Sequence, residues 1–132
     1  MEKINLLFLL FLSIIIFRVC SFFSYSIIIS DWNDLYNLTM YVNNLISYKL
    51  TQDNTPLLFT SITRVGDCVD RSKFVKLILD NNGLNNSIIF CYTSQGYHAR
   101  NMVWLDGICF ILDASYDDGL IQSCSIVDDY CV

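Results

Sequence analysis

A chain of 132 residues holds at most one domain once its apolar start is set aside, since the roughly 100 residues that follow suffice for one modest core. With 13 acidic side chains against 8 Lys and Arg, a formal charge of −5 and no clustered basic patch, the chain lacks what a nucleic-acid backbone attracts. Nucleic-acid binding is excluded.

The N-terminus, MEKINLLFLLFLSIIIFRVCSFFSYSIII, carries Lys3, an apolar run from Ile4 to Phe17, Arg18, and more apolar sequence up to Ile29. The first run is short against the about 20 residues of a bilayer span and has the length of a signal-peptide core. Reading through Arg18 gives a stretch long enough to span, with one costly charge inside it. Ser24-Tyr25-Ser26 offers a small-x-small cleavage site. Residues 1–29 are therefore a signal peptide or a membrane anchor, and residues 30–132 the domain. Either reading places that domain outside the cytoplasm, secreted or membrane-anchored.

Asp31 is a good N-cap, and apolar residues recur three and four apart from Trp32 through Leu35, Leu38, Val42 and Ile46. The pattern predicts a helix over Trp32 to Ser47. Residues 49–64 are polar around Asn54 and Pro56, which predicts a loop with a short buried turn at Leu57 to Phe59. After Gly66, the apolar set Phe74, Val75, Leu77, Ile78 and Leu79 predicts a second helix from Val69 to Asn82, stopped by Gly83. Beyond it, NSIIFCYTS, HARNMVWL and ICFILDAS are β-branched and aromatic segments separated by turn residues. Their short connections allow only an antiparallel sheet. The fold class is α+β, helices first and strands after.

None of the six cysteines is in CxxC spacing, and the single histidine, His98, has no Cys or His in metal-binding rhythm with it. The acidic pairs in DDG and VDDYCV lack the regular oxygen ligands of a calcium loop. No metal or cofactor is expected. In an exported chain, disulfides are. Cys124 with Cys131 and Cys91 with Cys109 are available pairings, though connectivity is not fixed by sequence.

Asp106-Gly107 is a favoured two-residue hairpin loop, so Leu105 faces Ile108, Val103 faces Phe110 and Asn101 faces Leu112. Counting on, Arg100 faces Asp113, and His98 lies two residues away on the same face. A diagonal pair of this kind is within reach of an imidazole–carboxylate hydrogen bond. An Arg100–Asp113 ion pair would compete for the same carboxylate. A carboxylate that orients a histidine suits activation of a nucleophile, and Cys68 stands where unpaired helix N–H groups favour a thiolate. Gly66 allows close backbone approach, and the Cys68 N–H is available to an oxyanion. Asp67 and Asp70 are charges that complement the helix start.

GDC opening a helix that ends in NNG, HA at the head of a strand and an Asp after a hairpin together resemble the transglutaminase-like superfamily of papain-like fold. The upstream YVNNLISYKL, a helix followed by a short tyrosine segment, is similar too. The resemblance covers roughly Trp32 to Ser115. It implies a catalytic helix packed on a small antiparallel sheet, with Cys68 as nucleophile, His98 as general base and acid, and Asp113 as the orienting acid. It also implies acyl transfer from peptide or isopeptide amides through a thioester, as hydrolysis more than crosslinking; some similar domains cut cell-wall peptides. The expected partner is a peptide or protein substrate, with membrane association through residues 1–29 if they are kept. The chain departs from many relatives in Arg100, where they carry Trp, and in Ala114, where Pro often follows the Asp. Gln52, the one glutamine in the loop before Cys68, is the oxyanion candidate. The alternatives are a catalytically silent envelope or interaction module of the same fold, and a small disulfide-stapled secreted protein with no free thiol.

Overall fold

The computed structural model describes residues 2–24, 26–51, 55–93, 96–115, 120–126 and 130–131. The fold is α+β, as expected. Helix α1 (Glu2–Phe23) is followed by α2 (Trp32–Leu45), strand β1 (Ser47–Tyr48), α3 (Leu57–Thr63), β2 (Val65–Gly66) and α4 (Cys68–Asn81). Strands β3 (Asn86–Thr93), β4 (Gly96–Leu105), β5 (Ile108–Asp113), β6 (Leu120–Ser123) and β7 (Tyr130–Cys131) come after them. They form one antiparallel sheet in the order β6-β5-β4-β3-β7, while β1 and β2 make a separate parallel pair.

Asp31 caps α2 as expected, its side chain accepting from Asp34 N–H while Asp34 reaches back. Four buried positions, Leu35, Leu38, Thr39 and Val42, lie at helical spacing along one face. The helix stops at Leu45, two residues before the expected end, because Ile46 turns extended while its N–H still bonds Val42. On α4 the buried stripe is Arg71, Phe74, Val75, Ile78 and Leu79. These stripes meet Val103 of β4 and Leu112 of β5 in one core.

The β4–β5 register is the predicted one, Leu105 with Ile108, Val103 with Phe110 and Asn101 with Leu112. The turn residues explain it, since Asp106 (φ 51°) and Gly107 (φ 77°) both take positive φ, the conformation of a type I′ hairpin turn.

Two expectations need correction. The segment read as a loop contains α3, a seven-residue helix too short to show a period; Pro56 precedes it, and Arg64, in the left-handed region at φ 60°, ends it. The suggested cysteine pairings do not form. Cys109 bonds Cys124, because β5 and β6 are neighbours with Phe110 opposite Ser123, which brings the two Cα atoms to 5.5 Å. Cys91 is also disulfide-bonded and lies opposite Cys131 in the register.

The core also holds a residue of α1. Phe22 is fully buried, its ring centroid 4.2 Å from that of Phe74 and 4.8 Å from the Arg64 guanidinium carbon. Ile29 joins the same cluster. Phe22→Ala is therefore expected to cost about 3–5 kcal/mol of unfolding free energy, read by chemical denaturation of the full chain in detergent. A loss below about 1 kcal/mol, the scale of an ordinary surface change, would show that Phe22 is not packed in solution.

Candidate active site

Cys68 is the first residue of α4, and the structure shows why the helix begins there. Asp67 accepts from the N–H groups of Val69 (2.9 Å) and Asp70 (3.2 Å), while Asp70 Oδ2 accepts from Asp67 N–H at 2.9 Å. This reciprocal capping box satisfies donors that a helix start leaves unpaired. The Thr51 hydroxyl lies 2.8 Å from Asp70 Oδ2 and 3.0 Å from Asp67 Oδ2, where it donates its one proton. Both aspartates thus serve the helix start, as the sequence indicated.

The Arg71 N–H is taken by the Asp67 carbonyl. Of the first four N–H groups of α4, the one on Cys68 is left without a bond among the described residues. It sits beside the thiol.

His98 on β4 and Asp113 at the end of β5 meet as the register predicted. His98 Nε2 donates to Asp113 Oδ2 at 2.7 Å, and Arg100 Nε donates to the same oxygen at 2.9 Å. The other carboxylate oxygen accepts from Ser115 N–H at 2.9 Å. Arg100 does not displace the histidine; one oxygen has room for both donors. The Asp113 side chain is fully buried, whereas that of His98 remains 20% exposed.

With Nε2 on Asp113, Nδ1 is the ring nitrogen left free to face Cys68, which lies near enough to act on the imidazole. The hydrogen bond to Asp113, the neighbouring Cys68 and the charge of Asp113 outweigh burial and push His98 up to about 9. Burial pushes Asp113 upward, but the hydrogen bonds and charge of His98, with those of Ser115 and Arg100, hold it below its ordinary value. The pair therefore has a window. Its stabilisation from His98 is complete below the ordinary histidine value of 6.5 and is lost as pH rises through about 9. The lowered Asp113 value preserves it on the acid side until the carboxylate protonates.

Two residues near the site were not assigned from sequence. Arg71, three positions after Cys68, is buried and donates to the carbonyls of Ile46 (2.7 Å), Asn43 (3.4 Å) and Ala114 (3.2 Å). Asn43 Nδ2 also donates to the Ala114 carbonyl at 2.9 Å. The chain immediately after Asp113 is thereby fastened to α2 and α4. Tyr48 on β1 lies half exposed beside the site; burial, then its neighbours Cys68 and Asp67, raise its phenol. Tyr48 lies in the tyrosine segment of YVNNLISYKL, to which sequence reasoning attaches no role, and an arginine inside a helix carries no sequence signal of burial. Gln52 lies outside the described residues. No group of metal-ligating side chains occurs among the described residues.

The fold is shared with solved structures. A proposed cysteine protease from Cytophaga hutchinsonii aligns over 77% of this chain and 40% of its own, with 14% identity and a TM-score of 0.58. LapG from Legionella pneumophila aligns over 69% and 55%, at 16% identity and a TM-score of 0.56. A TGase aligns over 88% and 35%, at 15% identity and a TM-score of 0.57. The chain thus spans about half or less of the length of these proteins. It matches no protein-family model and no curated protein sequence. At these identities the likeness concerns architecture, and the chain has the transglutaminase-like fold.

Two measurements test the site. His98 is the only histidine in the chain, so NMR titration in detergent micelles reads it directly, with an expected midpoint of about 9. Asp113→Asn removes the largest cause and is expected to bring the midpoint down toward 6.5; an unmoved midpoint would contradict the pairing. At Gly66 an added Cβ would lie 2.6 Å from Asp70 Cβ and 2.9 Å from its Oδ2. Gly66→Ala should therefore dislodge the capping box at a cost of about 1–3 kcal/mol, measured by denaturant unfolding.

Proposed function

We propose that this protein is a cysteine-dependent acyl-transfer enzyme that hydrolyses peptide or isopeptide amide bonds outside the cytoplasm. The observation that carries the reading is the conjunction of a free Cys68 at a helix start with a His98 held by the buried Asp113. The sulfur attacks the amide carbonyl carbon as thiolate, forming a C–S bond and an oxyanion. The Cys68 N–H is the donor best placed for that oxyanion. His98, as imidazolium, gives its proton to the departing amine, and the C–N bond breaks to leave a thioester. His98 then takes a proton from water, the hydroxide oxygen adds to the thioester carbon, and the carboxylic acid leaves as the thiolate is regenerated.

Hydrolysis is favoured over crosslinking because water needs no seat of its own, whereas crosslinking requires the domain to hold a second, amine-bearing protein. Peptides of a cell envelope are among the substrates that suit an exported domain. The Cys109–Cys124 disulfide supports an oxidising compartment, and α1 supplies a signal or anchor to reach it.

The test is turnover on a panel of fluorogenic peptide and isopeptide amides. Cys68→Ala is expected to lower it on the order of 10⁶-fold, the scale at which catalytic triads lose rate when the nucleophile is removed. Turnover unchanged by this substitution would overturn the assignment and leave a silent interaction module.

A further inference from the structure

Helix α1 is bound into the domain from its last turns. Ile15, Arg18, Val19 and Phe22, spaced as one helical stripe, are wholly or partly covered, while Leu7, Phe8, Phe11 and Phe17 are exposed. Arg18 Nε donates to the Ile62 carbonyl at 2.6 Å, and Arg64 Nη2 donates to the Arg18 carbonyl (3.0 Å) and Ser21 Oγ (2.9 Å). On the other side of the Ser24-Tyr25-Ser26 cleavage motif, Ile29 is again a core residue. Its N–H donates to Asn82 Oδ1 at 2.9 Å, and Asn82 Nδ2 donates to the Ile27 carbonyl at 2.8 Å. Cleavage at the motif would cut between two residues of one core. It would also remove the ring packed on Phe74.

We infer that α1 is a retained membrane anchor built into the domain, and that a lipid bilayer covers both its exposed apolar surface and the adjoining Leu58 and Phe59 of α3. The lengths support the second part. Asn5–Phe23 is long and apolar enough to cross a membrane, but only residues 2–17 are clear of the Arg18 contact, about 24 Å at 1.5 Å per residue. The hydrocarbon core is about 30 Å thick. A short span is accommodated by thinning the bilayer or by drawing neighbouring protein into the interface.

Helix α3 is placed for that. Arg64 meets Arg18 and Ser21 and Ile62 meets Arg18, so the C-terminal end of α3 packs beside the last turns of α1. Leu58 and Phe59 of the same helix are 57% and 56% exposed. Apolar side chains on such a helix enter the boundary between headgroups and acyl chains. A disulfide-bonded domain outside puts the N-terminus of the span on the cytoplasmic side. The site then works at a fixed, short reach from the membrane, on substrates presented at that surface. The inference rests on packing and would stand if Cys68 proved inert.

Its test is translation of the full chain with membrane vesicles that contain the translocation machinery and signal peptidase, beside a cleavable control processed in the same reaction. The expected product keeps its full mass and stays in the membrane pellet after alkaline carbonate. A product shortened at Ser24 to Ser26, or one released by carbonate, overturns retention. For the α3 contact, Phe59→Trp and Leu58→Trp are placed separately in phosphatidylcholine vesicles with brominated acyl chains. Loss of the added tryptophan emission, relative to unbrominated vesicles, is expected for both variants. Unquenched emission from both overturns the seating of α3.

Discussion

The structure turns on one buried carboxylate. Asp113 has no exposed side-chain surface, and an ion removed from water in this way is tolerated only when charges and hydrogen bonds replace its hydration. His98 and Arg100 supply them to one oxygen and Ser115 to the other. Because His98 and Arg100 are two apart on β4, both project from the same side of the strand, and the hairpin register brings Asp113 to both. The next residue, Ala114, has its carbonyl held by Asn43 of α2 and Arg71 of α4. Two helices and two strands therefore meet within two residues of the chain. The arginine that competes for the carboxylate on paper helps in fact to hold it ionised and in place.

The second fixed point is the start of α4. Gly66 exists there because any side chain would enter the space of Asp70, and Asp70 is needed to close the capping box with Asp67. That box uses the N–H groups just beyond Cys68 and leaves the one on Cys68. The amides that cap the helix and the amide proposed for the oxyanion are thus neighbours in one helix turn. The aspartates keep the helix from fraying, so the sulfur is presented at a fixed place beside His98.

Much of this was legible in the sequence because it depends on local rules. Asp106-Gly107 names its own turn type, and the turn fixes every β4–β5 pair, so the meeting of His98 with Asp113 could be counted out residue by residue. The GDC start and the NNG end delimit α4 for the same reason. What escaped depends on contacts remote in sequence. Helix α3 has too few residues to show a period, and the partner of Cys109 follows from the β5–β6 pairing, in a stretch with weak strand character. Arg71 looks like any helical surface charge until the carbonyls of Asn43 in α2, Ile46 just past α2 and Ala114 just past β5 surround it. Phe22, within an apolar run that reads as a membrane signal, has no mark to distinguish a core residue from a lipid-facing one.

The central claim is that Cys68 reacts as it does because His98 stands beside it. The most direct measurement is site-resolved alkylation of the full chain by a chloroacetyl peptide at neutral pH, followed by mass spectrometry, with Cys20, the other free cysteine among the described residues, as internal reference. The account predicts rapid labelling at Cys68 that collapses in His98→Ala while Cys20 is unaffected. Labelling of Cys68 at the same rate with and without the histidine would contradict it.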